Sequence, residues 1–203
     1  EYDWQRASAS DATPNKYFSD QTDGHMRKKT WIWAVPDEEM NQDDYDNDTE
    51  RWFYVGSNGK TYTGLRSVNG KKYLFDEQGI MKAGLQVVKN SALGDHSDIE
   101  DASEEVTGES ILTAKIDGEL YYFGDEETDG SMKTGKNIKI ELDDGETYTF
   151  GFEKSGKNMD GFQDKKTRYY VNGMLIEASD DYRYQAFDEN NDALGVIDPA
   201  DLD

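Results

Sequence analysis

The chain has 203 residues, 44 acidic against 22 basic side chains, and a formal net charge of -22. That charge excludes a nucleic-acid or anionic-lipid surface, which needs Lys and Arg to displace counterions. The lack of cysteine excludes disulfides, thiolate catalysis and Cys-type zinc sites, and no apolar run approaches the roughly 18 residues of a transmembrane helix.

Leu, Ile, Val and Phe make up only about 17 % of the chain, a range in which high charge points to disorder. Against disorder stand 13 Tyr and 4 Trp, which bury well, and 19 glycines at regular places. Neutral polysaccharide or a cationic partner remains electrostatically compatible. A chain that starts at Glu1 with no leader-like segment reads as a mature product or an excised fragment. The Cys-free, Tyr/Gly/Asp-rich composition fits an exported bacterial protein.

In chain order the same grammar recurs. Tyr17-Phe18 is followed by Asp23-Gly24-His25-Met26, and Trp52-Phe53-Tyr54-Val55 by Asn58-Gly59 and Gly64. The clearest unit runs from Leu65 to Gly84, with an Asn69-Gly70 turn, then Tyr73-Leu74-Phe75, Gly79, Met81 and Gly84. Asn-Gly between alternating strands is a strong hairpin signal, because both central residues need positive φ. Asp117-Gly118 leads to Tyr121-Tyr122-Phe123, Gly130, Met132 and Gly135, and Asp144-Gly145 to Tyr148, Phe150, Gly156, Met159 and Gly161. Arg168-Tyr169-Tyr170-Val171 precedes Asn172-Gly173-Met174, and a degenerate copy spans Tyr182 to Gly195.

Each unit reads as one hairpin of about twenty residues, and an isolated hairpin is marginal in water. Stacked hairpins cover one another. The expectation is therefore an all-β solenoid of stacked hairpins forming a single array, with units near 17-29, 30-64, 65-84, 85-135, 136-161, 162-178 and 179-195. Along each aromatic triplet one ring points inward and the next outward, and the Met after each Gly fills the gap between units. Acidic insertions at 36-50 and 89-110 read as surface excursions, Glu100 to Glu105 as the one candidate turn of helix, and 198-203 as a loose tail.

The pattern resembles the cell-wall-binding, or choline-binding type, repeat family of Gram-positive surface proteins and glucan-binding regions. That family's unit runs loosely Gly-Trp, an Asn-Gly-Lys turn, an aromatic triplet with Asp, then Gly-x-Met-x-x-Gly. Asn69-Gly70-Lys71, Tyr73, Phe75-Asp76, Gly79, Met81 and Gly84 match it, as do Gly118, Tyr121-Tyr122-Phe123, Gly130, Met132 and Gly135. The resemblance covers about Tyr17 to Gly195 and implies export and attachment to, or display on, the cell surface. In choline-binding members the cage uses the Trp after the Gly and the first residue of the triplet, with help from the next repeat. Here the post-Gly position holds Leu65, Leu85, Lys136 and Phe162, with Thr30 in the first unit, and the triplet's lead is Trp only at Trp52. A quaternary ammonium needs several electron-rich faces around it, and no single repeat supplies them, so the sequence speaks against choline.

The candidate ligand-binding residues are Trp31, Trp33, Trp52 and Tyr54. Trp31 and Trp33 share one strand face, as do Trp52 and Tyr54. They form either a platform that stacks on sugar rings or the thickest part of the core. Since one face of each hairpin must be core, burial is the first expectation. Asp44, Asp46 and Asp48 alternate as in a calcium loop, but Val55 holds the twelfth position; Asp188, Asn190 and Asp192 fail likewise at Pro199, so no metal site is expected. His25 and His96 read as surface residues. No nucleophile elbow and no phosphate-binding glycine loop occurs, so no catalytic residue and no cofactor is nominated, and the protein is not expected to be an enzyme.

The reading that results is a non-catalytic, secreted, cell-surface repeat module that binds cell-wall polysaccharide or another neutral glycan and anchors or displays its parent protein. The alternative is an adhesin or stalk-like scaffold that binds a protein partner, or sets distance, without glycan or choline.

Overall fold

The computed structural model describes residues 3–18, 24–88, 99–101, 106–113, 116, 118–166, 168–177, 185–187 and 193–196. The fold is all-β in character, built from small antiparallel sheets. β1 (Asp3–Gln5) pairs with β2 (Lys16–Phe18), and β3 (Thr30–Ala34) with β4 (Arg51–Val55). β5 (Gly64–Val68), β6 (Lys71–Phe75) and β7 (Met81–Lys82) form one sheet, and β10 (Glu119–Tyr122), β8 (Leu85–Val88) and β9 (Ile99–Asp101) another, in that order. β11 (Gly135–Glu141), β12 (Thr147–Phe152), β13 (Gly161–Gln163), β14 (Arg168–Val171) and β15 (Met174–Ile176) make a five-stranded sheet in the order β11-β12-β15-β14-β13. β16 (Gln185–Phe187) pairs with β17 (Ala193–Val196).

Two turn chemistries build the hairpins. Asn69-Gly70 and Asn172-Gly173 are two-residue loops between Val68 and Lys71 and between Val171 and Met174. All four residues have positive φ, between 49° and 85°, as that tight turn requires. The second chemistry follows the aromatic strands. Gly59, Gly79 and Gly156 each donate N–H to the carbonyl three residues back (Gly56, Asp76 and Glu153; 2.9 to 3.1 Å), while Gly56, Asp76 and Glu153 donate to Lys60, Ile80 and Lys157. Each closing glycine has φ between 78° and 98°, a region that a Cβ disfavours. The residue two past that glycine then bridges back to the last residue of its strand: Val55 to Thr61, Phe75 to Met81, Phe152 to Asn158.

The same position joins one unit to its neighbours. Its backbone N–H reaches back: Thr61 donates to Asn15, Met132 to Lys72 and Asn158 to Leu120. Its side chain reaches forward. Met26 sits on Gly59, Thr61 on Gly79, Met81 on Gly130, Met132 on Gly156 and Asn158 on Gly173. A Cβ would lie 2.5 Å from the Met26 sulfur at Gly59, 2.5 Å from the Met81 methyl carbon at Gly130 and 2.7 Å from Thr61 Cβ at Gly79, so each glycine leaves the space that its neighbour's side chain fills.

The apolar interior is divided to match. One cluster gathers Trp4, Ile32, Ala34, Met40, Phe53, Val55 and Ile80; a second Leu74, Val88, Tyr121 and Phe123; a third Leu85, Ile111, Leu120, Ile140, Leu142, Phe150, Phe152 and Met174. Trp4 lies before the repeats read from the sequence, yet it is buried against Tyr17 and Phe53 and donates its indole N–H to the Val35 carbonyl. The expected alternation holds at Tyr121, Tyr122 and Phe123, which are buried, half-buried and buried.

The insertions are built in more closely than surface excursions. Residues 36-50 contain α1 (Gln42–Asp46), capped by Asn41, whose side-chain oxygen accepts the Asp44 N–H. Met40 and Asp44 of that segment are buried. In the second insertion Glu100 lies in β9, while residues 102–105 fall outside the described residues. The helix stands instead at α2 (Gly108–Thr113), whose Ile111 enters the third cluster. Val88 faces Glu119 across β8 and β10, and β9 and α2 lie between them in the sequence. The last units do not stay separate hairpins: Phe150 pairs with Met174, and Gly151, lacking a side chain, exchanges hydrogen bonds with Gly173 and Met159. His25 is exposed, as read from the sequence, whereas His96, Asp188, Asn190, Asp192, Tyr182 and residues 198-203 fall outside the described residues.

Gly79 and Gly84 separate stacking from backbone strain, since both have positive φ but only at Gly79 would a Cβ meet the side chain of a neighbouring unit. Gly84→Ala is expected to cost about 1–2 kcal/mol of unfolding free energy, and Gly79→Ala about 1–3 kcal/mol more, as read by urea denaturation of the two variants.

Candidate functional site

Hairpin β3–β4 decides the site. Ile32, Ala34, Phe53 and Val55 point to the core, between 0 and 7 % exposed. The alternation of a strand then turns Trp31, Trp33, Trp52 and Tyr54 to the other face. Trp31 stands opposite Tyr54, and Trp33 opposite Trp52. The expected burial of these four therefore fails: the core is the aliphatic face, Trp33 is 44 % exposed, and the other three are half-buried.

The structure divides the four. Trp31 and Trp52 are diagonal neighbours, with ring centroids 6.1 Å apart at 86°. Trp31 also meets Tyr73 of β6 at 4.8 Å and 72°. Trp31, Trp52, Lys71, Tyr73 and Met81 line an open cavity of about 390 Å³ together with Glu126, Glu127, Thr128, Asp129 and Gly130. Trp33 stacks beside Trp52 outside this cavity and donates its indole N–H to Glu50 at 2.8 Å. Tyr54 lies on the other side of Trp31, against Tyr62.

The register explains why a complete set of rings exists where sequence alignment finds none. Thr30 pairs with Val55 as Gly64 pairs with Phe75, so Thr30 takes the place of the glycine and Trp31 the post-Gly position. Trp31, Trp52 and Tyr73 come from two consecutive units and converge only after stacking. Elsewhere the post-Gly position holds Leu65, Leu85, Lys136 or Phe162.

Sequence reasoning missed the acidic wall. Its signal is length: six residues separate Phe123 from Gly130, where three separate Phe75 from Gly79. The longer turn is held by Asp125, which accepts the Thr128 N–H at 2.7 Å and its hydroxyl at 2.6 Å. Asp129 accepts from Lys71 at 2.9 Å and Lys133 at 2.8 Å. Lys133 beside it, then Ser131 and Lys71, hold its carboxyl well below the usual carboxylate range. Burial, with Asp129 nearby, pushes the Tyr73 hydroxyl up. Glu126 faces Arg51 at 3.5 Å, and its other oxygen, Oε1, is buried with no hydrogen-bond partner among the described residues. Arg51 is gripped by both Asp44 oxygens, at 2.7 and 2.9 Å, which keeps its guanidinium firmly charged. Asp44 is thus committed to Arg51 and Asn41 rather than to a calcium loop. No group of metal-ligating side chains stands together among the described residues.

Such a cavity offers aromatic faces to a sugar ring or a cation, and negative charge on the opposite side. It offers no activated nucleophile.

No family model matches the chain. It is 30 % identical to Glucosyltransferase-S of Streptococcus downei over 80 residues, 39 % of this chain and 5 % of that protein. To Glucosyltransferase-I of the same organism it is 28 % identical over 114 residues, 55 % of this chain and 6 % of that one. The chain thus spans a small part of those relatives. Among solved structures it is similar to CbpF in complex with ipratropium, with a TM-score of 0.54 and 19 % identity over 95 % of this chain and 53 % of that one. It is also similar to choline binding protein F from Streptococcus pneumoniae, with a TM-score of 0.51, again 19 % identical, over 95 % and 51 %. At that identity the likeness concerns the fold.

Asp129 gives the site a pH signature. A carboxyl lowered on folding stabilises the folded state in full above its unfolded value, near 4, and loses that contribution as pH falls toward its folded value. Unfolding free energy measured from neutrality down to strong acid is expected to decline more steeply below about pH 4 in the parent than in Asp129→Asn.

Proposed function

We propose that this chain, which by repeat pattern and by fold is one of the choline- and glucan-binding repeat proteins, is a non-catalytic carbohydrate-binding module, secreted and held at a bacterial cell surface. It attaches or displays its parent protein there by gripping a wall polysaccharide. The observation that carries this reading is the cavity walled by Trp31, Trp52 and Tyr73 between two stacked units. Flat faces suit sugar rings, and Trp31 set steeply to both Trp52 and Tyr73 also suits an alkylated cation.

The acidic wall adds a preference. Glu126, Glu127 and Asp129 line the same space, against one lining cation, Lys71. A cationic substituent on the polysaccharide, of the choline type, matches that charge better than a neutral glycan does. Trp33 and Tyr54 flank the cavity and extend the aromatic strip along which a chain of sugars would lie.

Forward contacts on a glycine of the next unit, from 17-29 through to 162-178, support a solenoid of hairpins with boundaries near 17-29, 30-64, 65-84, 85-135, 136-161, 162-178 and 179-195. An array attached at several places gains by effective concentration even where each contact is weak. A bare stalk or adhesin, the rival reading, would leave Trp31, Trp33, Trp52 and Tyr54 buried in the core, and half-exposed rings around a cavity count against it.

The test is calorimetric titration with choline chloride beside sedimentation with cell walls that carry or lack choline. Trp52→Ala and Tyr73→Ala are each expected to weaken choline binding by about 5–30-fold, the equivalent of one or two kcal/mol per face. Binding that both variants leave intact, or no retention on either wall, would defeat the proposal.

A further inference from the structure

The insertion of residues 36-50 interrupts the repeat, yet its best-buried polar residue is aimed at the site. Asp44 is 7 % exposed, although it lies in an acidic segment that has every reason to face water. Its two oxygens take Nε and Nη2 of Arg51 in a fork, at 2.9 and 2.7 Å. The remaining terminal nitrogen, Nη1, points to Glu126 at 3.5 Å. Glu126 belongs to the lengthened turn 75 residues further on, and it lines the aromatic cavity. One guanidinium thus spans the helical insertion and the acidic wall.

We infer that the insertion is a positioning element of the binding site: Asp44, through Arg51, holds the carboxylate of Glu126 at the cavity wall and keeps it electrostatically available. This rests on the reading of the cavity as a cation-accepting site.

The physical reason is a competition for one positive charge. A planar fork that meets a carboxylate with two parallel hydrogen bonds is far stronger than a single contact at 3.5 Å. While Asp44 occupies the fork, the Arg51 charge is largely spent, and Glu126 is steered without being neutralised. If Asp44 loses its charge, the guanidinium is free to turn its fork onto Glu126. The wall then loses its net negative charge just where a cation would sit. The buried, unpartnered Oε1 of Glu126 fits the same picture, for it is an acceptor that the fork does not satisfy. Residue choice follows: Lys at position 51 offers a point charge and no planar fork. Asp44 and Arg51 touch no ligand in this scheme. They are positioning residues, and Glu126 is the contact.

The experiment measures a ratio. Choline chloride and dimethylbutanol, the neutral isostere in which carbon replaces the ammonium nitrogen, are titrated into the full chain and its variants. The ratio of the two affinities is insensitive to how much of a sample is folded. Glu126→Gln is expected to lower the ratio by about 3–10-fold, in keeping with the loss of one nearby charge near a surface. Asp44→Asn should lower it to the same degree and add nothing on top of Glu126→Gln. The double variant Asp44→Asn with Arg51→Met should bring it back to within about twofold of the parent, because both the hold and the competing cation are gone. Arg51→Lys, which keeps the charge beside Asp44, covers the case in which Asp44→Asn does not fold, and should lower the ratio partway. An unchanged ratio in Asp44→Asn or Arg51→Lys, with Glu126→Gln still effective, overturns the positioning role alone. An unchanged ratio in Glu126→Gln removes Glu126 from the wall. A parent chain that binds neither probe overturns the cation-accepting cavity and this inference with it.

Discussion

The constraint on which the rest depends is that a hairpin has two faces and can hide neither by itself. This chain meets it with a small contact repeated along its length. The residue two past a turn glycine puts its side chain onto the glycine of the next unit, and at Thr61, Met132 and Asn158 it also sends its N–H to the previous one. Met, Thr and Asn all occupy that position, because what the contact requires is room on the receiving side, which only glycine supplies. The cost of a turn glycine, a flexible residue in the unfolded chain, is thereby offset twice. It permits the positive φ that closes the turn, and it opens the seat into which the neighbour fits.

Stacking of this kind explains the sparse aliphatic content. Three modest clusters, each centred on Phe, Tyr or Leu from one or two units, replace a single interior. It also explains why the site lies between units. Trp31 and Trp52 are supplied by one hairpin, Tyr73 by the next and the acidic residues by the one after, so the cavity exists only where units meet. Its acidic wall comes from a turn three residues longer than its counterpart. The insertion that carries Asp44 then ties that turn to the hairpin through Arg51. Departures from the repeat thus gather around one place.

The net charge takes on meaning in the same way. Much of it covers the exterior, but part is arranged. Asp76 and Asp125 hold turns by accepting backbone N–H groups, Asp129 joins Lys71 to Lys133, and Asp44 is buried against Arg51. Glu126 and Asp129 at the cavity are therefore already ordered by basic partners before any ligand arrives. Ordering of this kind lowers the entropy that binding must otherwise overcome.

The local rules were legible in the sequence by itself. Asn69-Gly70 and Asn172-Gly173 dictate tight turns, because few other pairs tolerate positive φ twice in succession. The alternation of Tyr121, Tyr122 and Phe123 dictates which ring is buried, and the spacing of Gly and Met dictates that units recur and touch. The same patterns did not show which face of the first hairpin is dry. Trp31-Ile32-Trp33-Ala34 alternates two apolar classes, so either face suits a core, and only the packing of Trp4, Met40 and Ile80 against Ile32 and Phe53 decides for the aliphatic one. Nor did they show that Thr30 stands in for a glycine, since that equivalence is a matter of cross-strand register. The joining of Trp31 and Trp52 to Tyr73, and of Asp44 to Glu126, was decided by tertiary structure alone: contacts between units depend on how far each hairpin shifts as it settles on the glycine below it, and no local periodicity encodes that shift.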